Sequence, residues 1–255
     1  MEKNILQTGG THMKIRVLGT RGEIEEEAPR HRLHSGLLID GTLLLDLGEK
    51  EFLDLSPSAV FITHLHPDHA FFVRTPAQVE VPLYAPEPYK SMNILIPDEE
   101  FRFGEYTLRA IPTHHSKLVR SVAYRVEKDG QKFLYTGDII WIDKKYHHLL
   151  GDLDLVITDG SYYRKGGMIR KDEKTGQIFG HNGIPDLIQL FSEYTRHILL
   201  VHFGSWFFSD IAGSEKKLRE LGEKMGMQVM TGYDGMEIDL AEIPRSTVYS
   251  REHLF

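Results

Sequence analysis

The chain has 255 residues, 41% apolar and 26% charged, an ordinary globular composition sufficient for one large domain or two small ones. A net charge of -7 argues against broad electrostatic capture of nucleic acid. The absence of cysteine excludes disulfides and thiolate metal sites and makes a reducing cytoplasm the expected location.

Met1 to His12 is polar and lacks the apolar stretch of a signal peptide, so residues 1–13 are expected to be a leader or tag and residues 14–255 a single domain. No apolar run approaches the roughly twenty residues that span a bilayer, and no membrane partner is expected. Strand-like runs follow at Lys14 to Leu18, Gly36 to Asp40, Thr42 to Leu47, Ala59 to Thr63 and Val81 to Tyr84. The next are Tyr106 to Ile111, Val122 to Lys128 and Gln131 to Thr136, then Leu155 to Thr158, His197 to Val201 and Gln228 to Met230. Asp40-Gly41 and Asp129-Gly130 are hairpin-turn signals. Helical patterns occupy Ile184 to Tyr194 and Ser214 to Met225, the second with Ser214 as candidate N-cap. Hairpins first and strand–helix alternation later predict stacked sheets covered by helices, an α/β (α+β) class.

The stretch Thr63-His64-Leu65-His66-Pro67-Asp68-His69 sets three imidazoles and a carboxylate within six residues, directly after an apolar run. Clustered His and Asp suit zinc foremost, with manganese and iron also suited, and packing does not call for them. Other strand-like runs lead to His114-His115-Ser116, to Asp138 and to His202. Together these supply about seven ligands, the number two ions sharing one ligand need while leaving a position open for water.

In order and spacing this set resembles the metallo-β-lactamase superfamily, from about Lys14 to Asp239. The resemblance implies a four-layer αββα sandwich with two divalent metal ions at the sheet edges. It implies that His64, His66 and His115 bind one ion, Asp68, His69 and His202 the other, and Asp138 both. His114 competes with His115 for the third-motif place, and the pair His115-Ser116 favours His115.

Leu18-Gly19-Thr20, Pro29-Arg30 and the run Leu45-Asp46-Leu47-Gly48-Glu49 resemble the N-terminal signature of ribonuclease Z and of the cyclic phosphodiester hydrolase of phosphonate breakdown. Gly19 and Gly48 would allow tight turns or close backbone approach. In those branches a histidine some twenty residues before the last ligand acts on the leaving group, and His181 stands 21 positions before His202. The resemblance thus makes Asp68 and His181 the catalytic candidates. Asp159, Ser161, His114 and Arg30 are candidates for supporting the ligands or contacting substrate.

The long basic insertion with which ribonuclease Z clamps transfer RNA has no counterpart, so RNA is not the favoured partner. Tyr162 to Lys171, aromatic, basic and flexible, could contact phosphates or stack a base; for an acidic protein a solvated lid is the favoured reading. Glu23 to Glu27 reads as a solvated loop followed by Arg30, His31 and Arg32, which could face a substrate phosphate. Trp206-Phe207-Phe208, after His202, could shape a pocket near the metals, core packing being the expected role.

The sequence thus points to a binuclear metal-dependent hydrolase of a phosphodiester, with a metal-bridging hydroxide attacking phosphorus in line and His181 protonating the leaving oxygen. The substrate would be a cyclic phosphate, a nucleotide or an RNA-type diester. A lactonase or thioesterase of the same fold, and a nucleotide-binding member without turnover, are the alternatives. Oligomeric state is left open, a homodimer being the commonest assembly.

Overall fold

The structure is a computed structural model that describes residues 12–244. Most of the expected leader and the stretch 245–255 lie outside the described residues, although Met13 is buried and donates its backbone N–H to Gln131 Oε1 at 2.6 Å. Alternation opens the first sheet: in β1 (Lys14–Gly19), Ile15 and Val17 point inward while Lys14 and Arg16 face solvent. The sheet continues through β2 (Gly36–Ile39), β3 (Leu43–Leu45), β4 (Ala59–Phe61), β5 (Leu83–Tyr84) and β6 (Ile94–Leu95). The second sheet holds β7 (Glu100–Phe103), β8 (Tyr106–His114), β9 (Ser121–Lys128), β10 (Gln131–Tyr135), β11 (Trp141–Ile142) and β12 (Leu155–Asp159). A two-stranded hairpin, β13 (Met168–Lys171) and β14 (Ile178–His181), then precedes α1 (Ile184–Phe191). After it come β15 (His197–Val201), α2 (Ser205–Phe208), α3 (Ile211–Lys224), β16 (Gln228–Thr231) and β17 (Glu237–Asp239).

The sheet orders are β17-β1-β2-β3-β4-β5-β6 and β11-β8-β9-β10-β12-β15-β16, with β7 pairing β8. Both Asp-Gly turns adopt the doubly left-handed backbone of a tight hairpin, with φ of 49° and 68° at Asp40 and Gly41 and 49° and 78° at Asp129 and Gly130. Strands β10, β12, β15 and β16 run parallel, so their carboxyl ends lie along one rim.

Both faces of the inner strands are buried, which explains their near-continuous apolar runs. Phe61, Tyr124, Phe133 and Leu199 belong to the core between the sheets. Ile198 and Leu200, on the other face of β15, pack with Ile184, Leu187 and Phe207 of the helical layer. On the outer face of the first sheet, Leu44 and Val60 pack against Phe52, Phe71 and Phe72, carried by the 3₁₀ turns Lys50–Leu55 and Phe71–Val73. The chain is therefore the expected αββα sandwich, with one outer layer reduced among the described residues to short turns and irregular backbone.

Differences from the sequence reading are local. The last long helix begins at Ile211, because Asp210 caps it by accepting the Gly213 N–H at 3.0 Å, and Ser214 lies buried inside it. Strands β6, β7, β11, β13, β14 and β17 were not anticipated; they are short, and β7 alternates exposed with half-buried residues. Gly19 and Gly48 serve close approach: a Cβ would lie 1.8 Å from His34 O at the first and 2.5 Å from Asp68 O at the second. No helix among the described residues is long and apolar enough to cross a membrane.

Phe61 stacks on Tyr84 at 4.6 Å and meets Tyr124 at 5.9 Å between the sheets. Phe61→Ala is expected to cost about 3–5 kcal/mol, read from thermal or denaturant unfolding. A loss below about 1 kcal/mol would show that this aromatic cluster does not hold the sheets together.

Candidate active site

The sequence candidates sit at strand ends on one rim. His64 follows β4, His115 follows β8, Asp138 follows β10, Asp159 ends β12, His181 ends β14 and His202 follows β15. Backbone links join the two sheets there, including the bridge His64–Ser121 and the Val122 N–H donated to Thr63 O at 3.0 Å.

Three groups of side chains offer ligand atoms lying within 4.8 Å of one another: His64, His66, His115 and Asp138; Asp68, His69, Asp138 and His202; and Asp138, Asp159, His181 and His202. Asp138 is common to all three. Its Oδ2 faces His115 Nε2 at 3.5 Å and His64 Nε2 at 3.7 Å, whereas its Oδ1 faces His69 Nε2 at 3.1 Å and His202 Nδ1 at 3.2 Å. That Oδ1 is buried and has no hydrogen-bond partner. A buried anionic oxygen without a hydrogen bond is costly, and a cation between the two groups would satisfy it.

Imidazole orientation follows from second contacts. His115 Nδ1 bonds Gly180 O at 2.9 Å, so that nitrogen carries the proton and Nε2 keeps its lone pair, 3.1 Å from His66 Nδ1. His64 Nε2 also lies 3.1 Å from His66 Nδ1. His69 Nδ1 donates to Asp46 Oδ2 at 2.7 Å, which turns Nε2 toward Asp138. Asp46 is the functional-site residue that sequence reasoning missed. It is fully buried and also accepts from Thr63 N, Thr63 Oγ1 and Tyr135 OH at 2.7, 2.9 and 2.8 Å. The only hint was its place in the run Leu45 to Glu49. Asp46 and His202 both hold left-handed backbone, at φ 59° and 56°, a strained choice for residues with a side chain.

The other candidates divide. His181 Nδ1 donates to Asp159 Oδ2 at 2.7 Å, and Ser161 Oγ lies 2.9 Å from His202 Nδ1. Ser161 N–H donates to Asp159 Oδ1 at 2.8 Å, so Asp159 joins the His181 and His202 loops. His114 points away from the clustered ligands: its Nε2 bonds Asp143 Oδ1 at 2.9 Å and its ring stacks on Trp141 at 4.7 Å. It lines a separate cleft of about 700 Å³. Arg30 lies over the Tyr233 ring at 3.4 Å, His31 is buried beside Phe207, and Arg32 faces Glu27 at 3.7 Å. None of these three lines the cleft of about 490 Å³ that holds Asp138, His181 and His202. Phe207 is fully buried, while Trp206 forms part of the cleft wall. The Tyr162 to Lys171 segment carries β13, which pairs with β14 and brings His181 to the cleft.

Electrostatics divides the two groups as well. Burial lowers the His64 and His115 imidazoles, His115 to about 4, leaving them neutral with free lone pairs. His69 is buried too, but Asp138, then Asp46 and Asp68, lift it to about 10. His202 is held well above its ordinary value, against burial, first by Asp138. Burial pushes Asp138 up, yet His202, His69 and His115 keep it well below the usual carboxylate range. Protons on His69 and His202 thus balance carboxylates that a divalent cation would balance in their place, and binding would release them.

Asp46→Asn removes the acceptor that fixes the His69 tautomer. It is expected to weaken divalent-metal retention about 10–100-fold, measured by titration against a chelating dye. Unchanged affinity would show that Asp46 does not orient His69 for a metal.

A family model described as a beta-lactamase superfamily domain matches residues 52–203. No curated protein matches the chain. Among solved structures, the metallo-beta-lactamase fold protein YhfI from Bacillus subtilis is similar with a TM-score of 0.66 and 20% identity, over 89% of this chain and 98% of that one. A diphosphatase from the PhnP family follows with a TM-score of 0.63 and 16% identity, over 89% and 97%. The short form of human tRNase Z gives 0.56 and 18%, over 91% and 99%. At these identities the likeness is one of fold. With more than half of its length matched by the family model, the chain belongs to the β-lactamase superfamily and has the metallo-β-lactamase fold.

Proposed function

We propose that the chain is a binuclear metal-dependent phosphodiesterase. The observation that carries this reading is the split of Asp138, one oxygen toward His64 and His115 and the other toward His69 and His202. The donor set of imidazoles and carboxylates fits zinc, manganese or iron. His64, His66 and His115 would hold one ion, Asp68, His69 and His202 the second, and Asp138 both. Two such ions, when bound, supply Lewis acidity and lower the pKa of water.

The rest of the chemistry belongs to the chain. Asp68, whose Oδ2 lies 2.9 Å from His202 Nε2, would take a proton from the attacking water. As the water oxygen bonds to phosphorus, the bond to the ester oxygen breaks and that oxygen needs a proton. His181 is built to give it. Its Nδ1 is committed to Asp159, so Nε2 is the nitrogen left for the cleft that His181 lines. Ser161 and Asp159 hold His202 and His181 in register. The names of two structural neighbours, a diphosphatase and a tRNase Z, belong to phosphate chemistry and support phosphorus over carbonyl carbon. The same reading takes the enzyme as cytoplasmic and its substrate as a small phosphodiester.

Metal analysis is expected to return two ions per chain, with turnover of bis-p-nitrophenyl phosphate that rises on adding Zn²⁺ or Mn²⁺ and is lost on chelation. Efficient lactone or thioester hydrolysis without diester turnover would overturn the reading. His181→Ala should keep its metals and lose about 10²–10⁴-fold in kcat on diesters with alkoxide leaving groups, with a smaller loss on p-nitrophenyl esters. Equal losses on both would remove His181 as the acid.

A further inference from the structure

We propose that the cleft selects phosphodiesters whose only charge is that of the scissile group, joined to a flat uncharged ester group, and turns away substrates that carry further phosphates. This rests on the phosphodiesterase reading and narrows it. Enzymes that take polyanionic substrates place Arg or Lys along the binding surface, because each phosphate needs a cationic partner. Among the described residues, the cleft of about 490 Å³ is lined by no Arg and no Lys.

The arginines close to the cleft are engaged elsewhere. Arg21 donates from Nε to Arg32 O at 2.8 Å and from Nη1 to Ile24 O. Arg74 is ion-paired with Glu23. Arg32 faces Glu27 at 3.7 Å. Arg164 donates from Nε to Gly167 O at 2.9 Å, and neither it nor Lys165 lines the cleft.

Anions, by contrast, stand at the mouth. The loop Gly22 to Ala28 carries Glu23, Glu25, Glu26 and Glu27, of which Glu25 and Glu26 have no cationic partner among the described residues. Glu23 lines the cleft, and Glu26 Oε2 accepts from Ser205 Oγ at 2.9 Å, where Ser205 also lines it. A second phosphate on a substrate would sit against this loop, whose neighbouring Arg21, Arg74 and Arg32 are already committed to Ile24 O, Glu23 and Glu27. The remaining wall is aromatic and apolar. Trp206 is fixed by its Nε1–H to Gly160 O at 2.9 Å and packs on Tyr163 at 5.3 Å. Tyr162 lies 5.8 Å from His181, and Ile24 and Pro67 complete the wall. Such a surface takes a flat neutral group by stacking, and the volume is within the range of sites for small ligands.

The test uses a matched pair on the metal-loaded full chain: thymidine 5′-(p-nitrophenyl phosphate) and the same molecule with an added 3′-phosphate. At low salt the added phosphate is expected to lower kcat/KM at least tenfold. The gap should narrow with sodium chloride, since the repulsion is exposed and screened, and should narrow at least threefold in Glu26→Gln. An added phosphate that leaves kcat/KM unchanged or raises it overturns the proposal. Binding gives a readout that does not depend on turnover: thymidine 3′,5′-bisphosphate should quench tryptophan fluorescence with weaker affinity than thymidine 5′-phosphate. Failure of both diesters to turn over, with the monophosphate still binding more tightly, removes the phosphodiesterase reading and leaves the charge rule standing. Tighter or equal binding of the bisphosphate, or binding of neither, overturns the charge rule itself.

Discussion

Asp138 is a buried carboxylate with one oxygen that finds no hydrogen bond, and it is the point where the contributions of both sheets meet. An anion in that position is expensive to hold. It is tolerated because five imidazoles approach it within 4 Å, those of His64, His115 and His181 on one oxygen and those of His69 and His202 on the other, and because the sandwich around it is packed from both sides. His64, His66, Asp68 and His69 come from the loop that follows β4 of the first sheet. Asp138, Asp159 and His202 come from the parallel strands of the second, and His115 from the end of β8. Any relative slip of the sheets would separate the two groups, so the apolar core between them also sets the geometry of the polar rim.

Local backbone is bent to the same end. Asp46 and His202 occupy left-handed conformations that cost a residue with a side chain on the order of 1–3 kcal/mol each. Each is then fixed by contacts at the site: Asp46 by Thr63, Tyr135 and His69, and His202 by Ser161 and Asp68. Gly48 lets the backbone of Asp68 come close, since any side chain there would collide with its carbonyl. At Gly48 the opening signature therefore meets the ligand loop, whereas Gly19 makes room for the backbone of Leu33 and His34.

Much of this was legible in the sequence, and the reason is physical. Apolar runs bounded by turn residues mark strands that are buried on both faces, as at Ala59–Phe61 and His197–Val201. His and Asp at the ends of such runs have no packing purpose, so their clustering was informative. Edge strands such as Glu100–Phe103 carry a mixed pattern that a half-solvated surface permits, and nothing in it forces a strand. The start of the last helix was displaced because Asp210 and Ser214 are both competent caps, and only the contact with Gly213 chooses between them. Asp46 stayed hidden because its meaning lies in partners up to 89 residues away. Arg30, which by composition could have met a phosphate, is spent on the face of Tyr233.

The placement of charge then separates two tasks that a metal-centred hydrolase must perform. Attraction of the scissile group needs only the floor of the cleft, where Asp138, Asp68 and the imidazoles would hold cations. Discrimination between substrates belongs to the walls and mouth, where Trp206 and Tyr162 offer apolar surface and the Glu23 to Glu27 loop offers negative charge. A neutral mouth would let the metals draw in any phosphate within a Debye length, about 8–10 Å at physiological salt. The acidic loop opposes that pull at a distance and leaves it intact at contact. Under the proposed charge rule, a single charge carried to the floor by an uncharged body would pass this filter, and a second charge, held at the mouth, would not.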